Sequence, residues 1–104
     1  MPDELAISMI VIGELRAGVL AATDPAVRSQ RLETLTRALR LSPVPVDHMV
    51  AVAWSELRVA LRDAGSRMPV NDSWIAATAI ALGLPVVTQD DDYDDVPGLS
   101  VIRV

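Results

Sequence analysis

Apolar residues recur at helical spacing over residues 9–20, 24–40, 47–64 and 73–82, and in short β-branched runs near 5–8, 86–88 and 100–104. The first helical segment carries Ile10, Val11, Ile12, Leu15, Ala17, Val19 and Leu20 almost all round, which predicts a buried helix. Ser8 precedes it as an N-cap and closes the strand at 5–8. Asp24-Pro25 predicts the next start, with Asp as cap and Pro at the first helical position. Leu32, Leu35 and Leu39 form that helix's apolar stripe. The stiff connector Ser42-Pro43-Val44-Pro45-Val46 leads to Asp47, a third N-cap, and to a helix with Val50, Trp54, Leu57, Leu61 and Ala64 on one face.

The last helical segment, 73–82, follows Asn71 and Asp72 and places Ile75, Ala76, Ala79, Ile80 and Leu82 at helical spacing. Gly83 predicts a left-handed cap, and Leu84-Pro85 stops the helix from continuing. Val86-Val87-Thr88 is a short strand that runs directly into Gln89-Asp90-Asp91-Asp92-Tyr93. Strands interleaved with helices predict a three-layer α/β fold around a small parallel sheet from 5–8, 86–88 and 100–104. Ligands of such sheets sit beyond the C-terminal strand ends and near helix N-termini, an edge that Asp72 and Asp90 can both reach.

At 104 residues the chain suffices for one domain with one core. No apolar run is long enough to span a bilayer, and the opening MPDEL lacks the plan of a signal peptide, so a cytoplasmic protein without a membrane partner is expected. The absence of cysteine excludes disulfides and thiolate zinc sites. The net charge of −5 is concentrated. Asp90, Asp91, Asp92, Asp94 and Asp95 account for it, because the remaining acids balance the arginines. A generally basic nucleic-acid surface is therefore excluded, whereas a local site for a hard divalent cation fits.

Each acid also has a plain structural reading. Asp72 could merely cap its helix, worth about 1 kcal/mol, although its spacing to Ile75 and Ala76 turns it toward the core side. Glu14, among apolar and small neighbours, could be half of a buried salt bridge; Gly18, a turn away, leaves space for something to approach it. Asp91, Asp94 and Asp95 read as a solvated turn, His48 as a surface residue, and Thr88 either as a β-former or as a hydrogen-bonding partner of the site. An EF-hand is excluded, since Asp95 stands where its sixth-position glycine belongs and Val101 where its twelfth-position glutamate belongs. Nothing supports nucleophilic catalysis by Cys or by a Ser–His pair.

Three spaced motifs carry a resemblance over essentially the whole chain. Ile7-Ser8 with Gly13-Glu14-Leu15-Arg16-Ala17-Gly18, then Val70-Asn71-Asp72 with Ile75-Ala76-Ala77, then Val87-Thr88-Gln89-Asp90-Asp91-Asp92-Tyr93 resemble the PIN-domain proteins, and among them the VapC-type toxins of bacterial toxin–antitoxin pairs. The resemblance implies a Mg2+- or Mn2+-dependent endoribonuclease on a parallel α/β/α fold, held inactive by a cognate antitoxin. Carried over motif by motif, the catalytic and metal-holding acids are Glu14, Asp72 and Asp90, with Asp92 as a further metal ligand. Family members open with a strand ending in another acid and then helices, a piece of about 30 residues that precedes the match to Pro2–Ser8. Asp3 cannot replace that acid, because it precedes its strand. One single, partial PIN-like domain is therefore expected, either continued by an upstream reading frame or truncated. Its strands 5–8 and 86–88 would leave a gap, or be closed by a second copy in a homodimer. The competing reading is a catalytically impaired PIN domain that serves as an antitoxin-binding module. Convergence of Glu14, Asp72 and Asp90 on one cation is expected, and without metal it predicts that at least one acid has a raised pKa or that the acidic loop is mobile.

Overall fold

The computed structural model describes residues 7–104. They form α1 (Met9–Ala21), α2 (Pro25–Leu39), α3 (His48–Asp63), α4 (Val70–Leu82), β1 (Val86–Thr88), a 3-10 turn (Asp91–Tyr93) and β2 (Val101–Arg103). No helix among them is long and apolar enough to cross a membrane. The chain divides into two compact units, Met1–Pro45 and Val46–Val104.

In the first unit α1 packs on α2. Ser8 caps α1 by accepting from the Ile10 N–H at 3.1 Å, and Asp24 caps α2 by accepting from the Val27 N–H at 3.2 Å. The all-round burial expected of α1 does not occur. Val19 is its one buried residue, and Leu20 is 65% exposed. Likewise α2 buries Leu35 and Ala38, while Leu32 and Leu39 lie outside the seam. The physical reason is that two helices packed on each other cover only a narrow strip of each. Arg31 spans that seam and donates to the Gly18 carbonyl at 2.8 Å, so its side chain takes the room that Gly18 leaves. Of the strand expected at 5–8, residues 5 and 6 lie outside the described residues. Ser8 makes a parallel bridge to Val44, whose N–H donates to the Ile7 carbonyl at 2.7 Å and whose carbonyl accepts from Met9 at 2.8 Å. The proline-flanked connector thus contributes pairing as well as stiffness.

The second unit is built on α3 and α4. Asp47 caps α3 by accepting from the Val50 N–H at 3.0 Å. Val50, Leu57 and Leu61 then form one core with Ala76 and Ala77 of α4, which are fully enclosed, and with Tyr93 and Val96. Alanines at the contact let the two helices approach closely. Gly83 ends α4 at φ +67°, where an L side chain is strained. β1 pairs in parallel with β2, Val86 opposite Val101 and Thr88 opposite Arg103. The register brings the C-terminal ends of both strands to one edge, where the acidic loop begins.

α4 starts earlier than expected, at Val70 and not Ser73, and Pro69 precedes it without a side-chain cap bond. The Pro69 carbonyl already accepts the first helical bond, from the Ser73 N–H at 2.9 Å. Asp72 consequently lies inside the first turn and is not an N-cap, so its carboxylate is available for other contacts.

Candidate metal centre

Asp72 approaches the acidic loop from α4, and Asp90 and Asp92 approach it from the end of β1. One carboxylate oxygen from each lies within 4.8 Å of the other two. Asp72 is half-buried, whereas Asp90 and Asp92 are exposed. Local bonds hold the loop in shape. The Asp90 N–H donates to Thr88 Oγ1 at 2.9 Å, and Asp90 Oδ1 accepts from the Asp92 N–H at 3.0 Å. Asp90 thereby caps the 3-10 turn, and that turn swings Asp92 back toward Asp72. Thr88 is thus a partner of the site and not simply a β-former.

Two residues that the sequence did not mark complete the arrangement. Tyr93 is 5% exposed, and its hydroxyl donates to Asp72 Oδ1 at 3.2 Å. Its ring belongs to the core, so the core itself orients Asp72. Arg103 reaches back from β2 to Asp91 at 2.6 Å and to Asp94 at 2.5 Å. Hydrogen bonds to Asp91 and then Asp94 push the Arg103 pKa up. The acids expected to be a solvated turn are indeed exposed, but two of them are tied to the strand that carries Arg103. His48 lies on the surface as expected.

The electrostatics of the cluster fall on Asp92. Its pKa is raised, first by a side-chain hydrogen bond to Asp72, which favours protonated Asp92, then by desolvation and by the negative charges of Asp90, Asp72 and Asp91. The raised pKa thus falls on Asp92, which stands outside the trio Glu14, Asp72 and Asp90 whose convergence carried that expectation. An all-carboxylate donor set suits a hard divalent cation, whose positive charge would relieve the same repulsion. Glu14 lies in the first unit, on the exposed side of α1, so it is not half of a buried salt bridge.

A sequence model of the PIN domain matches residues 1–99. The chain belongs to the PIN-domain family. Among PIN relatives it is 46% identical to Ribonuclease VapC4 of Mycobacterium tuberculosis over 97% of this chain and 78% of that protein. Ribonuclease VapC5 of the same organism is 43% identical, over 100% of this chain and 79% of the relative. Among solved structures, VapBC-5 from M. tuberculosis, a member of the VapBC family of toxin–antitoxin systems, superposes with a TM-score of 0.91 at 43% identity. That match covers 100% of this chain and 85% of the solved one. The α/β fold with its small parallel sheet is therefore the PIN fold.

Proposed function

We propose that this PIN domain is an endoribonuclease and the toxin of a toxin–antitoxin pair, with Glu14, Asp72, Asp90 and Asp92 holding Mg2+ or Mn2+. The observation that carries the reading is the meeting of Asp72, Asp90 and Asp92 within 4.8 Å, although Asp72 and Asp90 come from different elements. Relatives named as ribonucleases support RNA as the substrate, and the toxin–antitoxin neighbour supports an antitoxin as the protein partner. The match of one PIN model across residues 1–99 supports treating both units as one domain. A homodimer in the cytoplasm completes the proposal.

When bound, a divalent cation supplies a water of lowered pKa and neutralises charge developing on the phosphate. The chain's own residues prepare that site. Tyr93 fixes the rotamer of Asp72, and Thr88 and the 3-10 turn fix Asp90. Left uncompensated, the carboxylates repel RNA, so substrate binding and cleavage both depend on the metal. The test is RNA cleavage by chelator-stripped protein, with Mg2+ or Mn2+ restored, beside Asp90→Asn. Activity should return with metal in the natural chain and fall by orders of magnitude in the variant. Equal cleavage by both proteins contradicts the proposal.

A further inference from the structure

On the α3 side of the α4 N-terminus, a cavity of about 440 Å³ is lined by Arg58, Leu61, Arg62, Arg67, Met68 and Ser73. Three arginines contribute to this lining and no Asp or Glu does, in a chain whose net charge is −5. Like charges gathered around a cavity repel one another unless an anion joins them. The only ion pair any of them makes among the described residues is Arg62 with Asp63, at 3.3 Å with side chains 75% and 66% exposed, which offsets little of the charge.

Arg58 is held against an aromatic ring. The Arg58 guanidinium stands 5.1 Å from the centre of the Trp54 ring. Trp54 is fixed in turn by stacking on Trp74 at 4.2 Å and by donating from Nε1 to Ser73 Oγ at 3.0 Å. The Ser73 hydroxyl donates onward to the Val70 carbonyl at 2.5 Å, so the chain of contacts ends on the backbone of α4. A guanidinium fixed in this way loses little freedom when an anion arrives. Ser73, which lines the cavity, follows Asp72 of the acidic cluster directly in sequence. Their Cα atoms are about 3.8 Å apart, so the cavity lining and the acidic cluster each include a residue of the first turn of α4.

We infer that this cavity binds an RNA phosphate neighbouring the one that is cleaved, an inference that rests on the ribonuclease reading above. Carboxylates alone would push a polyanion away from the acidic cluster, and the three arginines of the cavity hold the strand beside it. Guanidinium forks match phosphate oxygens bidentately. Leu61 and Met68 give the cavity an apolar wall for the attached ribose. An acidic peptide offers the same charge but no reason to lie against the acidic cluster, so the phosphodiester is the occupant assigned.

The test is fluorescence anisotropy of a labelled single-stranded RNA binding to the natural full chain, with Ca2+ supplied as the carboxylate-ligating cation, over a range of salt. Arg62→Ala and Arg67→Ala, each in this chain, should flatten the dependence of log affinity on log salt by about 0.7. At ~0.1 M salt each should weaken binding about fivefold relative to its effect at ~1 M. Arg67→Lys should keep the slope, and unchanged melting temperatures should show that both exposed sites tolerate alanine. Unchanged affinity and slope in both alanine variants overturn the inference. So does an absence of RNA binding, or Arg67-dependent binding of a glutamate-rich peptide without Arg67-dependent binding of RNA. Metal-dependent cleavage is measured separately with Mg2+ or Mn2+. Cleavage with indifferent arginines sinks only the pocket, and arginine-dependent binding without metal-dependent cleavage sinks only the nuclease.

Discussion

Tyr93→Phe removes one oxygen and leaves the ring in the core cluster that includes Leu57, Ala76 and Val96. The lost bond runs from a buried hydroxyl to the half-buried carboxylate of Asp72, over 3.2 Å. A hydrogen bond to a charged group contributes about 1.5–3 kcal/mol, and the long distance places this one at the lower end. Repulsion among the carboxylates opposes part of it, so a net loss near 1 kcal/mol is expected in metal-free protein. That corresponds to a fall of about 4–8 °C in Tm. The larger consequence is for metal binding, because Asp72 loses the group that fixes its orientation. Removing such a supporting partner lowers metal affinity by about 10–100-fold. Calorimetric titration of chelator-stripped protein with Mn2+, alongside Tm, measures both effects. Tyr93→Ala is the contrasting variant, with an additional cavity penalty of about 3–5 kcal/mol. If Tyr93→Phe binds Mn2+ as tightly as the natural chain while Asp90→Asn does not bind it, the hydroxyl does not position Asp72.

The raised pKa of Asp92 gives a pH dependence of definite sign. Folded protein holds that proton more tightly than unfolded chain, so the contribution is full below the ordinary aspartate range and is lost as pH rises through the raised value. Metal-free Asp92→Asn should therefore gain in Tm over the natural chain as pH increases through that window; a constant difference refutes it. Asp91→Asn removes one arm of the Arg103 clamp at a side chain that is 85% exposed. Its stability should change by less than about 1 kcal/mol in chemical denaturation, with Mn2+ affinity unchanged. Gly83→Ala forces a β-carbon onto a residue at φ +67° and should destabilise by about 1–2 kcal/mol, read by urea unfolding. No loss there would mean that α4 ends differently.

Local chemistry made much of this molecule legible in advance. Ser8, Asp24 and Asp47 cap their helices through contacts two or three residues away, and Gly83 ends α4 through its own φ, so short-range sequence suffices for each. The order of Asp72, α4, β1 and Asp90 was equally readable, because β1 delivers its acids to the edge that the α4 N-terminus faces. The start of α4 was not. Asn71-Asp72 looks like a cap, but the Pro69 carbonyl accepts the first helical bond and draws Asp72 into the turn. Tyr93 and Asp72 are 21 residues apart, and no periodicity relates them. Apolar content alone overstates the burial of α1, because the α1–α2 seam covers one strip of it. Arg103 was invisible for a similar reason, since only the parallel register of β1 and β2 brings it opposite Thr88.

The central claim is that these acids hold one divalent metal, and anomalous X-ray scattering from crystals grown with Mn2+ tests it most directly. A single strong peak is expected within coordination distance, about 2.0–2.6 Å for hard cations, of carboxylate oxygens from Asp72 and Asp90. Asp92 should contact the same ion directly or through its water, and the peak should vanish in Asp90→Asn crystals. A peak elsewhere, or none between Asp72 and Asp90 at a Mn2+ concentration that supports cleavage, would contradict it.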